Sequence, residues 1–155
     1  MRFTVTHQEI ISLDIANADH TFLALQTAGL SSLLAAKIQF QIDWQQAEDD
    51  PRELSEIPEI RLWFIRLDAQ YPWLPLALDW QAGELARYAA MLIPHAFNRQ
   101  TGIQYNPEAL EIWVMHKVFF ATNWLKQQSS NDYNPIKFMA KTLGYELDRS
   151  LFDLL

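Results

Sequence analysis

The chain has 155 residues, half of them apolar, with nine Phe, six Trp and five Tyr. That suits one domain with a sizeable core and excludes disorder for the bulk of it. With no cysteine, disulfides, a thiolate-held iron–sulfur cluster and a cysteine nucleophile are all excluded. A net charge of −7 argues against a general nucleic-acid binder, which needs a basic face to displace counterions.

The N-terminus, MRFTVTHQEIISLDIANADH, has one Arg, an Asp at 14 and no continuous apolar run. It fits neither a secretion signal nor a transit peptide, so the protein is expected to stay in the compartment where it is made. Two weakly periodic apolar stretches over residues 8–36 predict short helices, broken near Gly29 and Ser31-Ser32. In KIQFQIDW, Ile38, Phe40, Ile42 and Trp44 alternate with polar residues, which predicts a half-buried strand over 37–44. A proline-punctuated loop follows. IRLWFIRL is apolar on both faces apart from Arg61 and Arg66, and predicts a more central strand over 59–67.

Tyr71-Pro72-Trp73-Leu74-Pro75 is expected to be non-helical, because each residue before a proline is pushed to extended geometry. LALDW (76–80) is a candidate third strand. AGELARYAAMLI carries a helical stripe ended by Pro94. The best-marked helix runs over 107–127: Asn106 suits the cap, Pro107 the first position, Glu108 the first turn and Lys126 the last. Asn134-Pro135 opens another helix closed by Gly144, and Asp148 caps a last one. The predicted class is α+β, a small antiparallel sheet covered by helices. No linker or repeat divides residues 1–155, which are read as one domain with an N-terminal helical segment over 1–36.

The charge is unevenly placed. Residues 1–59 hold ten acids and three bases, and six of those acids fall between Glu48 and Glu59; residues 60–155 hold nine of each. The run is either a solvated loop or an oriented field that selects a basic partner. Its carboxylates could in principle serve as acid and base, but a polar loop leaves them solvated, and catalysis wants them shifted. No two histidines stand four apart on a helix, and His116, amid apolar neighbours, reads as a packing residue rather than a ligand. No nucleophile elbow or glycine-rich phosphate loop is present.

Arg61 and Arg66 interrupt an apolar element, and Glu84 and Arg87 stand one turn apart. A half-buried arginine needs a partner. The arginines either pair with Asp68, Asp79 or the acidic loop, or line a groove for a partner's carboxylate. Five of the larger aromatics, Trp44, Trp63, Tyr71, Trp73 and Trp80, fall between 44 and 80; they are core or hot spot.

The runs DDPRELSEIPEIRLWFIRLDAQYPWLP, LDWQAGELARYAAMLIPH, GIQYNPEALEIWVMHKVFFATNWLKQQ and LGYEL resemble the Chlororespiratory Reduction Six family, assembly factors of the photosynthetic NDH complex in cyanobacteria and chloroplasts. The resemblance implies a non-enzymatic maturation factor without a cofactor. It would act in the cytoplasm, or the stroma in chloroplast relatives, on the iron–sulfur subunit I before that subunit joins the peripheral arm. No catalytic residue is carried over. The expected contact surface is Asp49, Asp50, Arg52, Glu53 and Glu56, with Arg61 and Trp73 as neighbours. Two rival readings are a hydrolase using the acids at 49–59, and a small-ligand module with Arg66 and Trp80 lining a pocket.

Overall fold

The computed structural model describes all 155 residues. The chain opens with β1 (Arg2–Thr6), whose Phe3 and Val5 turn inward. Thr6 then caps α1 (His7–Ile11): its hydroxyl oxygen accepts the Glu9 N–H at 3.2 Å, and the Glu9 carboxylate accepts the Thr6 N–H at 2.7 Å. Such a reciprocal pair satisfies amides that a helix start otherwise leaves orphaned. Two more helices follow, α2 (Ala16–Ala28) and α3 (Leu30–Leu34), parted at Gly29 with φ +101°. β2 (Gln39–Asp43) lies where the alternation places a strand and runs parallel to β1, Phe3 facing Phe40 and Val5 facing Ile42. The three intervening helices supply the crossover that a parallel pair requires.

The expected strand over 59–67 is a helix instead. α4 spans Pro58–Gln70 and buries Ile60, Trp63, Phe64 and Leu67, while Leu62 and Ile65 stay exposed. That spacing is one face of a helix, and Pro58 at its first position with Glu59 in the first turn favours the start. The sheet is therefore not an antiparallel pairing of 37–44 with 59–67. The candidate strand at 76–80 contributes one parallel bridge, Leu78 to Ile38, with Ile38 N–H donating to Ala77 O at 2.8 Å and Asp79 N–H to Ile38 O at 3.0 Å. Just before it, Leu74–Ala77 winds into a 3₁₀ turn, so the segment expected to be wholly non-helical is helical at its end. Pro75 sits in the first turn, where its missing N–H costs nothing.

After Gly83 comes α5 (Glu84–Leu92), then an antiparallel hairpin of β3 (His95–Asn98) and β4 (Gly102–Tyr105) that the sequence reading did not anticipate. α6 (Pro107–Gln127) is capped by the Asn106 side chain, which accepts the Ala109 N–H at 3.0 Å. α7 (Asn134–Thr142) and α8 (Arg149–Leu154) complete the chain, the latter capped by Asp148, which accepts the Ser150 N–H at 2.8 Å. The α+β class holds. No helix is long and apolar enough to cross a membrane.

The core is organised around aromatics. Phe22 on α2 has its ring centroid 5.3 Å from Phe3, 5.5 Å from Tyr71 and 6.1 Å from Trp73. Phe40 meets Phe64 at 5.1 Å in an edge-on arrangement. Offset and edge-on pairs of this kind add about 1 kcal/mol each beyond the area they bury. The free edge of β2 is closed by side chains: at Phe40 the N–H donates to Glu84 Oε2 (3.3 Å), and the carbonyl accepts from Arg87 Nη1 (2.7 Å). The pair, itself 3.4 Å apart, stands where a third strand would otherwise satisfy that edge.

Candidate partner-binding site

The acidic segment is an anchored loop between β2 and α4. At its start Trp44 stacks on His7 with centroids 4.3 Å apart, and Gln45 N–H donates to His7 Nδ1 at 3.1 Å, tying the strand end to α1. Gln46 reaches forward, its Nε2 donating to Arg52 O at 2.7 Å. Asp50 and Arg52 pair side by side, with Nε on Oδ1 at 2.9 Å and Nη2 on Oδ2 at 2.7 Å. The Arg52 side chain, aided by its backbone N–H, holds the Asp50 carboxyl down at about 2. Asp50 is thereby partly neutralised by its own loop.

Farther along, Leu54–Glu56 forms a 3₁₀ turn in which Glu56 Oε2 accepts the Glu53 N–H at 2.7 Å. Ser55 is buried, and its hydroxyl meets His95 Nε2 at 3.1 Å. The other ring nitrogen, Nδ1, lies 2.9 Å from Ile93 O and 3.3 Å from Arg61 Nη1, so the imidazole links the Ser55 turn to α4 and to the end of α5. Arg61 on α4 closes the far end: its Nη1 donates to Ser55 O at 3.0 Å and to Ala90 O at 2.8 Å. Burial draws the Arg61 pKa below the ordinary arginine value.

The structure thus brings Asp49, Asp50, Arg52, Glu53 and Glu56 onto one loop, with Arg61 beneath it. Glu48, Asp49 and Glu59 are exposed and enter no salt bridge, so their charge is directed at solvent. Trp73 does not join them. It is 2% exposed, packed between Phe22, Tyr71 and a stacked Trp124 at 6.2 Å, and offers a partner no surface. Its apolar ring is worth more inside a core than on a rim.

The arginines expected to pair with carboxylates mostly meet backbone carbonyls: Arg61 as above, Arg66 through Nη1 to Leu13 O. Arg66 and Trp80 do not line a common pocket; Trp80 Nε1 donates to Pro75 O at 2.8 Å on another part of the fold. Asp68 takes a lysine instead. Lys117 Nζ sits 2.6 Å from Asp68 Oδ2 and is almost fully buried, while His116, expected among apolar neighbours, is exposed. No group of three His, Asp or Glu side chains is placed to hold a metal ion.

The chain belongs to the chlororespiratory reduction 6 family, whose model matches residues 5–154. Membership implies a role in assembly of the photosynthetic NDH complex. No solved structure matches the chain.

Proposed function

We propose that this chain is a non-catalytic assembly factor that holds the iron–sulfur subunit I of the NDH complex before that subunit joins the peripheral arm. The acidic segment Asp49–Glu56 is the docking surface. Family membership supports the complex; the geometry of the loop supports the surface. The observation that carries the reading is a charged segment with both ends tied down, through His7 and Trp44 at one and Ser55 and Arg61 at the other, while its free carboxylates face solvent. A held loop presents charge without the entropy cost of ordering it on binding. Such a surface selects basic partners and speeds their encounter more than it adds raw affinity. Lacking cysteine, the chain would shield a cluster-bearing subunit rather than ligate its cluster through thiolates.

The test is an anaerobic pull-down with the tagged chain from a cyanobacterial lysate, read by mass spectrometry. Subunit I should co-elute without the mature complex. A variant with Asp49, Asp50 and Glu53 all changed to Lys should lose it while circular dichroism stays unchanged. Recovery of the whole complex in fixed ratio would make the chain a structural subunit, and undiminished recovery with the triple variant would move the interface to another face.

A further inference from the structure

The two edges of the β1–β2 sheet differ. On the β2 side, Ile38 bonds to Ala77 and Asp79, and Phe40 is closed by Glu84 and Arg87. β1 has no such cover. Gln39 N–H donates to Met1 O at 2.8 Å. In an extended strand the bonding groups alternate sides, so those of Phe3 and Val5 also face β2, while those of Arg2, Thr4 and Thr6 face outward. Thr6 is already engaged: its N–H donates to Glu9 Oε2 at 2.7 Å, and its carbonyl, as at any helix cap, serves the first turn of α1. The N–H and C=O of Arg2 and Thr4 make no hydrogen bond in the fold, and both residues are exposed.

Open edges in natural sheets are often blunted by a proline or a bulge. β1 has neither, and Thr4, being β-branched, suits pairing. Its charges are instead polarised along the strand. Arg2 stands at the start, exposed and in no salt bridge. At the far end stands the Glu9 carboxylate, held on the outward edge by the Thr6 N–H and using only its Oε2. Asp43, exposed and opposite Thr6 on β2, adds a second acid there. The same strand turned end for end therefore brings a base to an acid at both ends of the pairing.

We infer that β1 pairs antiparallel with β1 of a second copy of this chain, extending the sheet to the order β2-β1-β1-β2 across a two-fold axis at Phe3. Arg2 of each copy lies opposite Thr4 of the other, and each such pair exchanges both of its N–H···O bonds. That register uses every outward group that is free. Centring it on Thr4 would set Arg2 against Thr6, whose groups are taken. Arg2 then stands one step along the strand from Thr6 of the second copy, where its side chain reaches that copy's Glu9. The two-fold also sends the acidic loops, which follow β2, to opposite ends of the sheet. Repulsion between two chains of net charge −7 is thereby lessened, and both loops stay open.

The experiment is sedimentation equilibrium of the full chain over roughly 5–500 µM, a range set by an edge that adds hydrogen bonds but little apolar area. A reversible monomer–dimer equilibrium is expected, with nothing larger, because each copy has one open β1 edge to share. Thr4→Pro removes the outward N–H without touching the β1–β2 ladder, and should raise the dissociation constant about tenfold or more with helical dichroism unchanged. Arg2→Glu should raise it about threefold at low salt and less at high salt. A second readout needs no substitution: amide exchange at Arg2 and Thr4 should slow as the concentration of the unaltered chain rises. A monomer throughout the range overturns the inference and leaves the edge to a strand from a different protein. So does a dimer undiminished by Thr4→Pro, or one whose slowed amides lie outside residues 2–6.

Discussion

Lys117 Nζ lies 2.6 Å from the Asp68 carboxylate, inside the protein and 5.5 Å from the ring centroid of Trp113. The same carboxylate accepts the Tyr88 hydroxyl at 2.8 Å. One side chain on α4 thus joins α6 through Lys117 and α5 through Tyr88. Because α4 also carries Arg61, the helix that orders the core is the one that holds the acidic loop. The core and the proposed docking loop thus share one helix, α4.

A buried pair of this kind is costly to break and much less costly to replace. Asp68→Asn leaves the Lys117 ammonium without its counter-charge and should destabilise the chain by about 3 kcal/mol, read as a shift of the urea midpoint at constant slope. Adding Lys117→Met removes the stranded charge, keeps an acceptor for Tyr88, and should recover about 2 kcal/mol of that loss. A double variant no more stable than Asp68→Asn alone would show that the attraction outweighs the desolvation.

Alkaline pH acts through three tyrosines. Burial raises Tyr105 to about 12. It raises Tyr71 and Tyr88 too, each further raised by the carboxylate its hydroxyl meets, Asp19 and Asp68 respectively. A folded pKa above the unfolded value near 10 means the folded state keeps protons the unfolded state has released. The stabilisation is whole below about pH 10 and falls by about 1.4 kcal/mol per tyrosine per pH unit as pH rises toward the folded values. Lys117 opposes this, since burial lowers its pKa and stability rises toward 10.5 on its account; three groups outweigh one. The chain should unfold cooperatively above pH 10, with tyrosinate absorbance appearing in step with the loss of helical dichroism. Ionisation of all the tyrosines with the dichroism intact would contradict this.

The legible and illegible parts of the fold divide on physical grounds. α6 was readable because its ends carry independent signals, an Asn-Pro start and a terminal Lys, and it forms from Pro107 to Gln127. β2 was readable because one of its faces is polar. α4 was misread because exposed Leu62 and Ile65 fill the gaps between Ile60, Trp63, Phe64 and Leu67, which hides the helical period under a continuous apolar run. β1 is only five residues long, and its partner lies 37 residues away at Phe40 for Phe3, a pairing no local pattern encodes. At the candidate site the loop and its acids were visible in composition. The anchors were not, because Gln46, Ser55 and His95 act through backbone and long-range contacts. Lys117 was in plain view as a charge within an apolar helix, a position that calls for a buried partner.

Trp73 separates core from contact. As a packed ring among Phe22, Tyr71 and Trp124, it should cost about 4 kcal/mol when changed to Ala. Its Nε1 has no hydrogen-bond partner in the fold, so Trp73→Phe removes an unsatisfied donor along with some volume and should cost no more than about 1.5 kcal/mol. The folded Trp73→Phe protein should retain subunit I in the pull-down. Loss of the partner from a normally folded variant would return Trp73 to the interface.

Arg61 separates positioning from contact. Its Nη1 spans from Ser55 O to Ala90 O, so it fixes where the acidic loop stands relative to α5 without facing a partner itself. Arg61→Lys keeps the charge but shortens the side chain and loses the planar guanidinium that holds Nη1 between the two carbonyls. The expected loss of stability is about 1–2 kcal/mol, with faster amide exchange confined to residues 52–57 and 90–95. Partner capture should weaken in proportion to that loosening and recover at low ionic strength, where charge attraction is less screened. If capture falls with the loop's exchange unchanged, Arg61 touches the partner directly. If exchange quickens and capture does not change, the loop's pose is irrelevant to docking, and the acidic surface acts by net charge alone.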